Sequence, residues 1–172
     1  MGHVVIYDDD HYYMGGVLAE LLVQKGCTVT LITPAAYVSE WTVNTLEQHE
    51  IHRRLVEMGV TIELNRGVTA VCADHVESNC MFTDQRRDLA CEAVVMVSSR
   101  IETRGVYDDL RGLEAQWADA GSRSVELIGD ANAPGPIAWA TYAGHRYARE
   151  LDTADIGDAL PFRREITALA AD

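Results

Sequence analysis

The sequence predicts an α/β fold: a parallel sheet with helices on both faces and an inserted three-stranded antiparallel meander. Three observations predict it. Over residues 3–64 apolar runs alternate with segments of helical period, the signature of a parallel sheet covered by helices. From Arg66 to Cys91 the pattern changes to short alternating segments split by polar turns. From Glu92 to Ser98 a buried-strand pattern returns. Together these features describe a Rossmann-like, doubly wound domain.

Each element has its own warrant. His3–Tyr7 is an apolar run and predicts the first strand. Val17, Leu18, Leu21 and Leu22 recur at helical spacing over Gly15–Gly26, and Gly26 is placed to terminate that helix. Thr28–Thr33 is β-branched and stops at Pro34, which predicts the second strand. Asn44 followed by Glu47 predicts a helix cap, and Leu46, Ile51, Leu55 and Met58 supply that helix's apolar face up to Gly59. Val60–Leu64 is the third strand. The meander is expected over Val68–Ala73, His75–Ser78 and Cys80–Thr83. Beyond the return strand, Asp108–Ala120 predicts a helix, Ser124–Ile128 a last strand and Ile137–Leu151 a final helix entered through Pro136. Ile137, Ala140, Gly144, Tyr147 and Leu151 form the packing stripe of that helix.

The turn after the first strand contradicts the chemistry that this architecture usually serves. A dinucleotide-binding unit carries G-x-G-x-x-G there, because only glycines let the backbone curl against a pyrophosphate lying on the helix N-terminus. This chain has Asp8-Asp9-Asp10-His11-Tyr12-Tyr13-Met14 instead. Gly15 stands at the third glycine, with Gly16 beside it, and the first two glycines are missing. The end of the second strand fails a separate test. It reads Thr33-Pro34-Ala35-Ala36, with neither the carboxylate that takes a ribose hydroxyl nor a nearby Arg for a 2′-phosphate. The expectation is a degenerate nucleotide site, with Asp8, Asp9 and Asp10 as surface or helix-capping residues.

A second motif lies near the end of the chain. Val125-Glu126-Leu127-Ile128-Gly129-Asp130-Ala131 precedes Pro134-Gly135-Pro136 and the final helix. A strand ending in Gly-Asp before a helix N-terminus can set a carboxylate on a ribityl or ribose hydroxyl, or serve as an ordinary turn. Gly129 and Asp130 are therefore candidate cofactor-binding residues, together with Gly15 and Gly16.

Composition narrows the remaining classes. The net charge is −13, from 27 acidic against 14 basic residues in 172, with no basic run longer than the pairs Arg53-Arg54, Arg86-Arg87 and Arg163-Arg164. Nucleic acid and anionic membrane are poor partners for such a surface. No stretch approaches the roughly 20 apolar residues that span a bilayer, and no signal peptide is apparent, so a cytoplasmic location is expected. Cys27, Cys72, Cys80 and Cys91 match neither C-x-x-C nor an iron–sulfur spacing and read as reduced thiols. Three consecutive Asp residues lack the alternate spacing of a calcium loop. His49 and His52 lack a third ligand at sensible spacing. Ser98 and Ser99 lack the surroundings of a hydrolase nucleophile. No metal site and no catalytic residue is expected. Met1-Gly2 leads straight into the first strand, the opening expected of a piece cut from a longer protein.

The segments H-V-V-I-Y-D-D-D-H-Y-Y-M-G-G-V-L-A-E-L-L, H-E-I-H-R-R-L-V-E-M-G-V and I-G-D-A-N-A-P-G-P-I-A-W-A-T-Y-A-G-H-R-Y-A-R-E resemble the C-terminal part of the trimethylamine dehydrogenase family. That family belongs to the NADH:flavin oxidoreductases, with the 2,4-dienoyl-CoA reductases as a related branch. The resemblance runs over about residues 3–151 and implies two pieces. Residues 1–128 would form a degenerate NAD(P)-binding-like domain. Residues 129–172 would return to an adjoining FAD/ADP-like domain, with Gly129 and Asp130 finishing its nucleotide site.

The resemblance further implies a parent enzyme whose N-terminal barrel carries FMN and a 4Fe-4S cluster, with ADP or FAD in the adjoining domain. Such a parent oxidises a small amine, passes electrons to an electron-transfer flavoprotein and assembles as a homo-oligomer. Asp8, Asp10 and Thr33 favour the amine dehydrogenase branch over the hydride-accepting reductases. The chain itself is then an inactive structural or docking remnant. The alternative is a working NAD(P)- or FAD/ADP-binding module of a flavin-dependent reductase, which admits nucleotide through Gly15-Gly16.

Overall fold

β1 (His3–Asp8) carries Val4, Val5 and Ile6, all buried, and lies inside a four-stranded parallel sheet. The computed structural model describes residues 2–151. They fall into two compact units, divided between Arg100 and Ile101. In the first unit β1 leads through helix α1 (Tyr13–Gln24) to β2 (Thr28–Ile32), and β2 leads through α2 (Gln48–Glu57) to β3 (Thr61–Glu63). Three strands follow as a separate antiparallel sheet, β4 (Arg66–Val71), β5 (His75–Cys80) and β6 (Arg86–Ala90). The chain then returns as β7 (Ala93–Val97), parallel to β1 on the side away from β2. The parallel sheet has the order β3-β2-β1-β7, in the α/β class expected.

Side-chain alternation sorts the core into two layers, because successive residues of a strand face opposite sides. On one face Ile6, Val29, Leu31 and Val97 pack with Ala19 of α1 and Leu55 of α2. On the other, Val5 and Ile32 pack with Val76 of β5 and Cys91, joined by Val68 and Leu89. Within this unit the helices cover the first face and the meander covers the second. Gly26, at φ 83, ends α1 as the sequence anticipates.

Four expectations need correction. Asn44 does not cap α2; its amide donates to the Trp41 carbonyl at 3.1 Å and closes a short 3₁₀ turn over Glu40–Val43. The helix begins four residues later at Gln48. The third meander strand is Arg86–Ala90 and not Cys80–Thr83. Cys80 ends β5, its N–H donates to the Gln85 carbonyl, and residues 81–84 form the turn. The charged run Arg86-Arg87-Asp88 hid that strand, whose one inward apolar residue is Leu89, opposite Val76.

The remaining corrections concern the second unit. The helix expected over Asp108–Ala120 is α3 (Gly105–Gly112), followed by a 3₁₀ turn at Glu114–Gln116. Gly112 is a poor helix residue, and Leu113 after it leaves helical geometry at φ −103, ψ 16. Ser124–Ile128 is not a strand. Ile128 is extended, at φ −133 and ψ 159, but the segment pairs with no neighbour among the described residues, and a strand requires a ladder. α4 (Ile137–Glu150) forms as expected. Of its predicted stripe, Ala140 packs on Gly129, whereas Ile137 is 83% exposed. The tail beyond residue 151, including Arg163-Arg164, lies outside the described residues.

Candidate functional site

An open parallel α/β sheet binds ligands beyond the carboxyl ends of its strands, where the strand order reverses. Here the chain builds outward from β1 through β2 to β3 and then returns to the opposite side at β7. The reversal lies at the end of β1, where Asp8 pairs with Val97 and the Asp9 N–H donates to the Val97 carbonyl at 2.7 Å. The acidic turn begins at that point.

The three carboxylates have three different surroundings. Asp8 is fully buried. Its Oδ1 accepts the N–H groups of Asp10 and His11, each at 3.2 Å, so the side chain folds the turn on itself. Its Oδ2 is buried without a hydrogen-bond partner. Asp9 is exposed, with Oδ1 3.3 Å from His11 Nε2. Asp10 accepts from Arg100 at 2.7 Å, a bond from the segment just past β7 across to the turn after β1. The expectation that all three would be surface or capping residues therefore fails for Asp8. Its oxygen is committed to the turn, and α1 starts after Tyr12 without a side-chain cap.

Burial pushes the Asp8 carboxyl above its ordinary pKa. The His11 N–H, the His11 ring and the Asp10 N–H oppose that shift, and the Asp10 charge reinforces it.

The surrounding residues close the crevice further. His11 takes a left-handed backbone at φ 60, and its carbonyl accepts the Trp41 N–H at 2.9 Å. His11 Nδ1 lies 3.5 Å from Thr33 Oγ1, and that hydroxyl accepts the Ala35 N–H at 3.2 Å. Thr33 is fully buried, with its N–H donated to Glu63 and its carbonyl accepting from Arg66. Buried Ser39, at φ 51, points its unpartnered Oγ to within 3.6 Å of where a Cβ on Gly16 would stand. Arg100 and Ser39 were not legible as members of this cluster. The only signal for Arg100 was an isolated cation just past the strand that returns beside β1.

Gly15 and Gly16 are buried in the first turn of α1. A Cβ on Gly15 would lie 2.6 Å from both Cγ and Oδ2 of Asp8. The glycine therefore admits a carboxyl group of the protein itself, at the fingerprint position whose glycine lets helix and strand pack closely. The residues present fit a pyrophosphate poorly: the turn has no glycine to let the backbone approach it, the buried Asp8 carboxyl packs against the first turn of α1, and the end of β2 offers only Thr33-Pro34-Ala35-Ala36. Gly129 and Asp130 belong to the second unit. Gly129 has φ 59, which an L side chain rarely adopts, and Asp130 Oδ1 accepts the Gly135 N–H at 3.4 Å. His49 and His52 line a shallow cleft of about 490 Å³ with Tyr37, Gln48 and Leu64, away from the acidic turn in sequence and at the N-terminal part of α2.

No helix among the described residues is long and apolar enough to cross a membrane. Comparison with known proteins agrees with the fold. Residues 1–108 match the model of the OYE-like second alpha/beta domain. Dimethylamine dehydrogenase of Hyphomicrobium sp. (strain x) is 30% identical over 94% of this chain and 24% of its own length. The structure of histamine dehydrogenase from Rhizobium sp. 4-9 superposes with a TM-score of 0.92 at 60% identity, over 99% of this chain and 26% of that one. That of 6-hydroxypseudooxynicotine amine oxidase from Pseudomonas geniculata N1 gives 0.80 at 34% identity, over 88% of this chain and 22% of that one. The chain spans about a quarter of the length of these relatives.

Proposed function

Because this chain belongs to the OYE-like second alpha/beta domain family, within the trimethylamine dehydrogenase-like group, we propose that it is the degenerate nucleotide domain of an amine dehydrogenase. In this reading it serves as a structural and docking module. FMN and a 4Fe-4S cluster belong to the barrel of the parent, where a small amine is oxidised before electrons pass to an electron-transfer flavoprotein. No residue described here takes a chemical step. Gly129 and Asp130 finish an ADP or FAD site in the adjoining domain, and the parent is a homo-oligomer.

The observation that carries this reading is the Asp8 carboxyl seated against Gly15, with Asp10 tied to Arg100 beside it. A domain that receives a nicotinamide dinucleotide keeps this helix N-terminus open to a pyrophosphate approached through turn glycines. Identity of 60% to a histamine dehydrogenase structure over nearly the whole chain supports the amine branch.

A second reading has one observation in its favour. Gly15 and Gly16 are both buried in the first turn of α1, and no acidic residue lies within that turn. A flavin-dependent reductase module could receive a nucleotide there if the Asp8 turn moved aside. Thermal unfolding with ADP, NAD, NADP and FAD separates the two. Ligand at 100 times its dissociation constant stabilises a folded protein by about 2.7 kcal/mol. The docking reading predicts unchanged melting with NAD and NADP, and a dose-dependent rise with either favours the reductase.

A further inference from the structure

The β4–β5 hairpin carries a side-chain cluster that the nucleotide-domain reading does not use. The Cys72 N–H donates to the His75 carbonyl at 2.9 Å, so a two-residue turn, Ala73-Asp74, joins the strands. Two rules of strand geometry then fix which side chains meet. Residues opposite each other across a ladder point the same way, and so do residues two apart along one strand. His75 and Glu77 are two apart on β5, and Cys72 stands across from His75. Val76 and Ser78, the alternate residues, are buried toward the parallel sheet. Cys72, His75 and Glu77 therefore share the outer face.

Their ligand atoms, one from each residue, all lie within 4.8 Å of one another, and each side chain is half-buried. Cys72 Sγ is 4.0 Å from Glu77 Oε1. A tetrahedral zinc with ordinary bond lengths separates a thiolate sulfur from a carboxylate oxygen by about 3.6 Å. Closing the cluster on a metal thus needs a movement of a few tenths of an ångström along that edge, within reach of side-chain rotation. His75 Nδ1–H donates to Asp74 Oδ1 at 2.7 Å, which leaves Nε2 as the ring's other nitrogen. A carboxylate on the second nitrogen of a metal-binding histidine is the usual outer partner, fixing the tautomer and making the ring a better donor. Asp88 stands opposite Glu77 on β6 and adds negative charge to the same face.

We propose that Cys72, His75 and Glu77 form a site for a zinc-class divalent cation, with Asp74 as the residue that orients His75. One thiolate, one imidazole and one carboxylate are a donor set that zinc accepts, and three protein ligands leave a fourth position to water. On coordination the Cys72 thiol releases its proton to solvent. The cluster lies on the face of the hairpin opposite the one packed on the parallel sheet.

Titration of the metal-free, reduced full chain with Co²⁺, followed by displacement with Zn²⁺, tests the site. The expected result is one Co²⁺ per chain, with visible bands of four-coordinate cobalt and a near-ultraviolet thiolate-to-cobalt band, both abolished by stoichiometric Zn²⁺. Cys72→Ser should remove the thiolate band, whereas Cys80→Ser should leave it intact. Glu77→Gln should weaken binding at least tenfold, and Asp74→Asn should weaken it about 10–100-fold. Absence of the thiolate band from the wild-type chain at stoichiometric Co²⁺ overturns the proposal without reference to any variant. So does a band that survives Cys72→Ser or disappears with Cys80→Ser.

Discussion

The carboxyl group of Asp8 lies 2.6 Å from the point where a Cβ on Gly15 would stand, whereas the nearest atom to a Cβ on the adjacent Gly16 is 3.5 Å away. Two neighbouring glycines of one helix turn thus have different reasons to be glycine. Gly15→Ala must displace a fully buried carboxyl group, and overpacking of that kind costs typically about 1–3 kcal/mol. Gly16→Ala meets only ordinary contacts and removes a helix-interior glycine, a gain of about 0.5–1 kcal/mol. Chemical denaturation of both variants checks the pair, and equal effects would contradict this geometry.

Asp8 should make stability fall as pH rises. Its carboxyl has a raised pKa in the fold, caused first by burial, so above the ordinary value of 3.8 the folded chain holds a proton that the unfolded chain releases. Linkage then lowers stability with increasing pH through the folded pKa, and leaves it unaffected below the unfolded one. Asp8→Asn retains an oxygen for the Asp10 and His11 N–H groups but carries no charge. Its melting temperature relative to wild type should therefore climb as pH rises above about 4. A relative stability that declines as pH rises from about 4 would refute the assignment.

The Asp10–Arg100 pair should contribute little energy, although it bridges two strand ends. The Arg100 side chain is 40% exposed and that of Asp10 16%, and pairs this open to solvent are worth about 0.2–1 kcal/mol. A double-mutant cycle with Asp10→Asn and Arg100→Gln measures the coupling, which should shrink further in high salt. A coupling above about 2 kcal/mol would place the pair among buried, cooperative interactions instead.

Leu55 tests the helix-covered face. It is fully buried among the residues of the first core layer, whereas the adjacent Val56 is 56% exposed. Leu55→Ala should cost about 2–5 kcal/mol. Val56→Ala should stay within about 0.5 kcal/mol, and comparable losses would mean that α2 presents a different face to the sheet.

The parallel layer was legible because its signal is local. β1 and β2 carry apolar runs, β2 stops just before Pro34, β3 begins just after Gly59, and α1 ends where Gly26 permits a positive φ. The segments read wrongly depended on partners. β6 is a strand through its pairing with β5, and its charged residues disguised that. Ser124–Ile128 looks like a strand in sequence but has no described neighbour to pair with. At the crevice, the missing glycines and the acidic turn were readable. The burial of Asp8 was not, because it follows from strand alternation placing that side chain on the helix-covered face beside Gly15. The Cys72, His75 and Glu77 cluster did have a sequence signal, C-x-x-H-x-E across an expected hairpin turn. That signal required pairing Cys72 with His75 rather than looking for the spacing of a single-strand motif.

Calorimetric titration of the full chain with NADH and NADPH tests the central claim most directly. A crevice filled by Asp8 and bridged by Asp10 and Arg100 predicts no saturable heat at micromolar ligand. Micromolar binding of either dinucleotide, weakened by Gly15→Ala, would contradict it.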